Sequence, residues 1–234
     1  MRTASVIYFT AIFLITILFN GCGIKRKNGG VVDHGTIVFH IDYLNEMKTS
    51  SVSNMMPDKW LYSFNKNRIK HELKASFNVF SLSFVSESPT DSCDVLFSFM
   101  DKNMYYPIAI NDHFFLYDND AKVIVTYEPD VTKDIAGFKC SKANIKFEGH
   151  EPFDVYYTDE IHILEPNRHT PLKVIPGVLM EFTVEYNGLK LHLKAKDFLD
   201  EKPALNNFKI PKNAVLSNRD EVVAMVNTLI NTFQ

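Results

Sequence analysis

The chain has 234 residues, with 25 Lys and Arg against 28 Asp and Glu, so its formal net charge at pH 7 is −3. A protein that binds DNA or RNA needs a cationic face to neutralise phosphates, so this charge balance argues against nucleic acid as a partner. The aromatic residues, 19 Phe and 10 Tyr against one Trp, favour a large apolar interior built from strands.

The N-terminus has the features of an export signal that ends at a cysteine. An uncharged apolar stretch, Ala4 to Phe19, is too short to span a bilayer comfortably and fits a secretory signal. Gly21 and Cys22 follow it after Asn20 and resemble the lipobox of bacterial lipoproteins, although Phe19 and Asn20 depart from the usual residues. We therefore expect residues 1–21 to be a signal peptide and Cys22 to be acylated. The alternatives are a signal anchor or a signal peptide cut elsewhere.

Acylation of Cys22 would make the membrane contact a tether. Each buried methylene contributes about 0.8 kcal/mol, so several acyl chains would hold the protein stably on a membrane. Residues 22–34 then form a lipidated linker, and residues 35–234 form a single β-rich domain.

Short runs of alternating apolar and polar residues follow the linker and are typical of half-buried strands. The run TIVFHIDY, residues 36–43, places Ile37, Phe39, Ile41 and Tyr43 on one face. Further strands are predicted at Trp60–Phe64, Arg68–Leu73, Phe77–Val85, Cys93–Met100, Met104–Ala109, Val123–Tyr127, Phe138–Phe147 and Phe153–Thr158. A short helix near Ser51–Met56 is also indicated.

Two of the clearest strands stand on either side of Asn187-Gly188, a pair that predicts a tight hairpin with a type I′ turn. Their apolar residues share one face of the hairpin: Phe182, Val184, Tyr186, Leu189, Leu191 and Leu193. A C-terminal helix is predicted at residues 218–233, because Ser217 and Asp220 form a capping box and apolar residues recur at helical spacing.

These elements predict a mainly β fold. Short connections favour an antiparallel meander, and about ten twisted strands tend to curl. The sequence therefore predicts a strongly curved meander sheet with an amphipathic C-terminal helix. Its concave face is either filled by the protein's own side chains or holds a ligand.

Residues that could carry chemistry are few. The eight His are scattered, and no nucleophile elbow, metal-binding His pair, P-loop or C-x-x-C motif is present. His40 with Asp42, His192 among lysines, and the cluster Asp159, Glu160 and His162 are interpreted as solvated residues. Cys93 and Cys140 either pair or, as we favour, remain buried thiols. No catalytic residue, metal or cofactor is predicted.

Three segments resemble a known family. They read IAGFKCSKANIKFEG, FDVYYTDEI and VIPGVLMEF, and in order and spacing they resemble the GLPGLI-type exported proteins of Gram-negative bacteria. The matching residues are Gly137, Phe138, Lys139, Cys140, Tyr157, Thr158, Glu160, Ile161, Pro176 and Gly177, within a match over residues 123–211. The chain departs from the family at Val174, where the family has a glycine. From the residues themselves, Pro176 and Gly177 predict a bend into the next strand, with Gly177 free to take a positive φ.

The resemblance implies a LolA-like half-barrel, which in better-known relatives holds lipid or acyl chains, and it implies no catalytic residues. It also implies the cell envelope of a Gram-negative bacterium, where the anchored protein would face the periplasm, with the outer membrane favoured over the inner. The first hypothesis is a non-catalytic lipoprotein that binds a lipid or other apolar ligand on the concave face, at the six hairpin residues 182, 184, 186, 189, 191 and 193. The alternative is a structural or interaction lipoprotein with a filled core. Protein partners are not identified.

Overall fold

The computed structural model describes residues 31–44, 56–88, 90, 92–109, 112, 114–116 and 122–233. This part of the chain contains twelve strands and one α-helix. The strands are β1 (His34–Tyr43), β2 (Lys59–Asn65), β3 (Arg68–Lys74), β4 (Phe80–Glu87), β5 (Ser92–Phe99), β6 (Lys102–Pro107), β7 (Val123–Ile135), β8 (Phe138–Phe147), β9 (Phe153–Thr158), β10 (Val178–Tyr186), β11 (Leu189–Leu199) and β12 (Val215–Leu216). The helix, α1, spans Arg219–Phe233.

All these strands belong to one mixed sheet that is not closed, with β12 and β7 at its two edges. β1 lies between β2 and β11, so the chain meanders outward from β1 to β6, crosses to β7 at the far edge, and meanders back to β11. Neighbouring strands are antiparallel except β12, which runs parallel to β6. The mainly β fold with a C-terminal helix is therefore confirmed, whereas the sequence does not predict the crossover or the pairing of β1 with β11.

The alternating patterns explain the strands that flank the centre of the sheet. Ile37, Phe39 and Ile41 of β1 are at most 3% exposed, as the period of two predicts. In the β10–β11 hairpin Asn187 and Gly188 have φ angles of 47° and 77°. A type I′ turn needs positive φ at both of these positions, so the predicted turn is confirmed.

The N-terminal cap of helix α1 lies one residue later in the chain than the sequence predicts. The side-chain oxygen of Asn218 accepts a hydrogen bond at 2.9 Å from the backbone amide of Glu221, which makes Asn218 the capping residue in place of Ser217. Val222, Val226 and Ile230 are buried at the predicted helical spacing. They attach the helix to the core.

Contacts between side chains of distant strands show that the sheet is curled. Six strand spacings separate β5 from β10, which is roughly 29 Å in a flat sheet, yet Phe97 of β5 and Tyr186 of β10 line the same cavity. At the bottom of the concavity the ring of Phe182 packs edge-on against Phe39, with centroids 5.7 Å apart, and against Trp60, at 6.5 Å.

Several predicted boundaries are wrong for local reasons. Phe77 has a φ of 59° and lies in a short 3₁₀ turn, so the strand predicted from Phe77 begins at Phe80. Met100, with a φ of 54°, lies outside β5 for the same reason. β7 extends to Ile135 across a bulge, which carries the chain past Pro129.

Candidate functional site

An apolar cavity lies between α1 and the concave face of the sheet. Its volume is about 70 Å³, several times the space that one buried water needs. The sheet contributes Tyr43, Leu73, Phe80, Leu82, Phe97, Tyr186, Leu189 and Leu191, and α1 contributes Val226, Leu229 and Ile230. Met56, Pro57 and Leu116 complete the wall.

The position of the cavity follows from the strand register. Tyr43 is the last residue of β1, Phe80 the first of β4, and Leu189 the first of β11. Because neighbouring strands are antiparallel, these residues lie at the same end of the sheet, beside the β3–β4 and β10–β11 turns. The cavity is therefore located at that end, whereas Phe39 and Trp60 fill the middle.

The two hydroxyl groups on the wall are already hydrogen-bonded within the protein. Tyr43 donates to the carbonyl oxygen of Pro57 at 2.7 Å, and Tyr186 donates to the side-chain oxygen of Asn227 at 2.6 Å. Burial raises the pKa of Tyr43, so its hydroxyl stays protonated. With these hydroxyls engaged, the wall suits an aliphatic occupant.

The structure divides the six predicted hairpin residues into two groups. Tyr186, Leu189 and Leu191 line the cavity. Phe182, Val184 and Leu193 are buried deeper and are at most 4% exposed, without lining it. Sequence reasoning missed the walls from β3, β4 and β5 and the part of α1, because these surfaces meet the hairpin only through the curl of the sheet.

The protein's own chain fills much of the remaining concavity. Phe114 stacks on Phe84 of β4 with ring centroids 4.2 Å apart, and Phe115 packs edge-on against Tyr186 at 5.4 Å. Leu172 and Ile175, from the segment between β9 and β10, are at most 1% exposed. The protein's own side chains thus occupy a part of the interior next to the cavity beneath α1.

The segments that carry the family resemblance meet at the opposite end of the sheet. Thr158 at the end of β9 donates to the backbone oxygen of Lys139 at 2.9 Å, and the backbone amide of Lys139 donates to Glu160 at 3.2 Å. A Cβ on Gly177 would lie 2.5 Å from the backbone oxygen of Thr158. Gly177 does not have a positive φ, so the predicted reason for this glycine is wrong, and close packing of β9 against the start of β10 replaces it.

A buried asparagine fixes the same turn. The side-chain amide of Asn167 donates to the backbone oxygens of Ile175 and Gly177, both at 2.9 Å. Nearby, the backbone amide of His162 donates to the carbonyl oxygen of Val32 at 2.9 Å. The first described residues are thereby held at the end of the sheet that lies away from the cavity.

Three of the polar residues singled out in the sequence, His40, Asp42 and His192, lie close together on β1 and β11. Asp42 lies 3.2 Å from the His40 ring and 3.6 Å from the His192 ring, and His192 lies 3.3 Å from Glu181. Lys133 of β7 reaches Glu181 at 2.6 Å. Burial raises the pKa of Glu181, but the hydrogen bond and the charge of Lys133 lower it by a larger amount. The pKa of Glu181 is therefore below its usual range. These contacts connect distant strands. The sequence does not indicate that Glu181 contacts both Lys133 and His192.

His71 of β3 is a half-buried histidine that no sequence motif identifies. Its Nδ1 accepts a hydrogen bond from the Trp60 indole at 3.2 Å, which places the proton of the neutral ring on Nε2. Burial, with a smaller contribution from the nearby His169, lowers the pKa of His71 to about 3. His71 is therefore neutral near pH 7 and supports the core.

Three further features can be checked in the described residues: a metal site, the two cysteines and a membrane-spanning helix. No group of three or more His, Cys, Asp or Glu there is arranged to hold a metal ion. Cys93 and Cys140 are buried free thiols, which confirms that interpretation over a disulfide. Burial raises the pKa of Cys140 to about 12. Within the same part of the chain, no helix has the length and apolar character of a membrane span.

The predicted signal peptide, Cys22 and the short helix near Ser51–Met56 lie outside the described residues, apart from Met56 itself. A scan against protein-family models and a search of curated proteins found no match to this chain. The resemblance to the GLPGLI-type proteins accordingly depends on the three quoted segments.

Proposed function

We propose that this protein is a non-catalytic lipoprotein of the bacterial envelope, anchored through Cys22, that binds one aliphatic chain in the cavity beneath α1. The observation that carries the proposal is the cavity itself: about 70 Å³ of space lined by aliphatic and aromatic side chains. Apolar space of this kind is uncommon in a close-packed protein, and the cavity is partly open toward solvent, which gives a small apolar molecule a route into it.

The size of the cavity limits its occupant. Sites for drug-sized ligands commonly have volumes of 300–1,000 Å³, so the cavity as described holds only the terminal carbons of an alkyl chain. A longer segment would enter if α1 moved outward. The half-buried Leu229 faces this space, and Val226 and Ile230 are the buried contacts that such a movement would release.

The family resemblance also supports this proposal, because the LolA-like half-barrel that it implies holds acyl chains on its concave face. An open curled sheet closed on one side by a helix is compatible with that architecture. The N-terminal pattern adds the anchor and the export signal, and the Gram-negative periplasm is the compartment that both suggest.

A filled-core interaction lipoprotein is the second candidate function. It is favoured by one observation, the packing of Phe114 on Phe84 and of Phe115 on Tyr186, which fills space beside the sheet with the protein's own side chains. In this alternative the small cavity is a packing defect without an occupant. The two candidates therefore differ in whether filling the cavity has a consequence for binding.

A cavity-filling variant separates them. Val226→Phe adds a ring at a position on the cavity wall, while Val223→Phe makes the same change on α1 at a half-buried position outside the wall. Titration with a fluorescent fatty-acid probe should show saturable binding to the wild type and to Val223→Phe, and at least a tenfold weaker binding to Val226→Phe. Absence of saturable binding to the wild type would refute the carrier proposal, as would unchanged binding to a folded Val226→Phe variant.

A further inference from the structure

Two large apolar side chains project from adjacent turns at the cavity end of the sheet. Phe77 in the β3–β4 turn is 90% exposed, and Met100 in the β5–β6 turn is 74% exposed. Phe80 pairs with Phe99, and the backbone amide of Met100 donates to the carbonyl oxygen of Val79 at 3.0 Å, so the two turns are held together. We call this pair of turns, residues 75–79 and 99–102, the apolar tip.

The backbone holds Phe77 outward in an unfavourable conformation. Phe77 and Asn78 have φ angles of 59° and 55°, and Met100 has a φ of 54°. A positive φ is rare for bulky residues and is normally left to Gly or Asn. Both large side chains therefore occupy strained backbone positions in which they contribute nothing visible to the core. Such outliers, where they coincide with exposed apolar groups, point to a function of the surface.

The apolar tip is continuous with the cavity. Leu73 and Phe80, which flank the β3–β4 turn, and Phe97, close to the β5–β6 turn, all line the cavity wall. A molecule that approached the tip would therefore meet apolar side chains outside and an apolar space directly behind them.

We infer that the apolar tip docks on the surface of a phospholipid bilayer, with Phe77 and Met100 inserted among the lipids. This inference rests on the proposed function, because the bilayer would supply the aliphatic chain for the cavity. Lys74 and Lys102 are exposed at the borders of the two turns, and Asp101 lies in the β5–β6 turn. Lys74 also lies 3.7 Å from Glu72. Lysines near a membrane surface are attracted to anionic head groups.

The small area of the tip favours a bilayer over a protein partner. Two large side chains present on the order of 400 Å², whereas a stable protein complex buries about 800 Å² on each partner. Side chains that insert individually into the membrane interface need no complementary surface.

The test places a fluorophore at the tip of the full, anchored chain. Phe77→Trp and the control Leu164→Trp change exposed apolar residues at opposite ends of the sheet, the control position being 52% exposed in the segment that follows β9. Each variant is reconstituted in vesicles of phosphatidylethanolamine and phosphatidylglycerol with brominated acyl chains, and the signal of the single native Trp60 is subtracted.

Docking predicts that emission from position 77 shifts to shorter wavelength in vesicles and is quenched at least twofold by the brominated chains, while emission from position 164 is not. Adding Met100→Ser should weaken the quenching at position 77. Equal quenching at both positions, or none at position 77, overturns the inference. A blue shift at position 77 that depends on protein concentration without lipid would indicate self-association and would also overturn it.

Probe binding measured on the same samples separates this inference from the proposed function. Saturable fatty-acid binding without quenching at position 77 would refute docking alone. Quenching without probe binding would refute the cavity ligand while leaving the apolar tip as a membrane contact. Circular dichroism of both variants would establish that their folds are intact.

Discussion

The same substitution at two positions of β11 gives a quantitative test of the cavity. Leu191 lines the cavity, whereas Leu193, two residues along the same strand, is 0% exposed and packed in the middle of the core. Leu193→Gln should lose about 1.5–3 kcal/mol of apolar transfer free energy. It should lose a further 1–3 kcal/mol, approximately, because the buried amide has no partner. We therefore expect a total destabilisation of about 2.5–6 kcal/mol.

At Leu191 the introduced amide projects toward free space and can be hydrated by waters that enter the cavity. The second cost is then largely absent, and we expect a destabilisation of about 1.5–3 kcal/mol together with weakened fatty-acid binding. Urea unfolding of both variants, followed by circular dichroism, measures the two free energies. Equal destabilisation at the two positions would refute the reasoning, since it would mean that Leu191 is packed as tightly as Leu193.

Four further predictions address other parts of the account. Cys22→Ser should move the protein from the membrane fraction to the soluble fraction, and a variant that still pellets after a carbonate wash would contradict the anchor. Gly177→Ala should lower stability by about 1–3 kcal/mol in urea unfolding, because the new methyl group collides with the backbone oxygen of Thr158. Gly188→Val should cost about 1 kcal/mol or more, because φ is 77° there, and an unchanged melting temperature would count against the tight turn. Below pH 6.5 the unfolded chain protonates His71 while the folded chain does not until about pH 3, so wild-type stability should fall by about 1.4 kcal/mol per pH unit in that window from this group, and His71→Asn should remove that slope.

Features that depend on neighbouring residues could be predicted from the sequence. The Asn187-Gly188 turn requires only two adjacent residues that tolerate positive φ, and β1 requires only its alternation. Helix α1 is likewise predicted by the helical spacing of Val222 and Val226. The burial of Cys93 and Cys140 follows from their position in strands with an apolar face.

Features that depend on distant residues could not be predicted. The pairing of β1 with β11 joins residues near 36 to residues near 199, and no local pattern specifies it. The cavity wall requires β3, β4, β5 and α1 to meet the hairpin, which only the curl of the complete sheet brings about. Gly177 illustrates the same limit, because the carbonyl group of Thr158 that excludes a side chain there belongs to another strand.

The charges of the protein show a similar division. The alternation of β11 correctly indicates that His192 lies on the polar face. It cannot indicate that Lys133 reaches Glu181 at 2.6 Å, because β7 and β10 are separated in the sheet by two other strands. The alternation of a strand therefore predicts whether a residue is buried or exposed better than it predicts which residue it contacts.

Native mass spectrometry of the full chain purified from a bacterial envelope would show whether the cavity beneath α1 carries a ligand. We expect a non-covalent adduct with the mass of a molecule that carries an aliphatic chain. It should dissociate on collisional activation, while the covalent lipid expected on Cys22 remains. The adduct should be retained by Val223→Phe and lost from Val226→Phe. Wild-type protein without any such adduct, which also fails to bind a fluorescent fatty acid, would contradict the claim that the cavity beneath α1 is a ligand site.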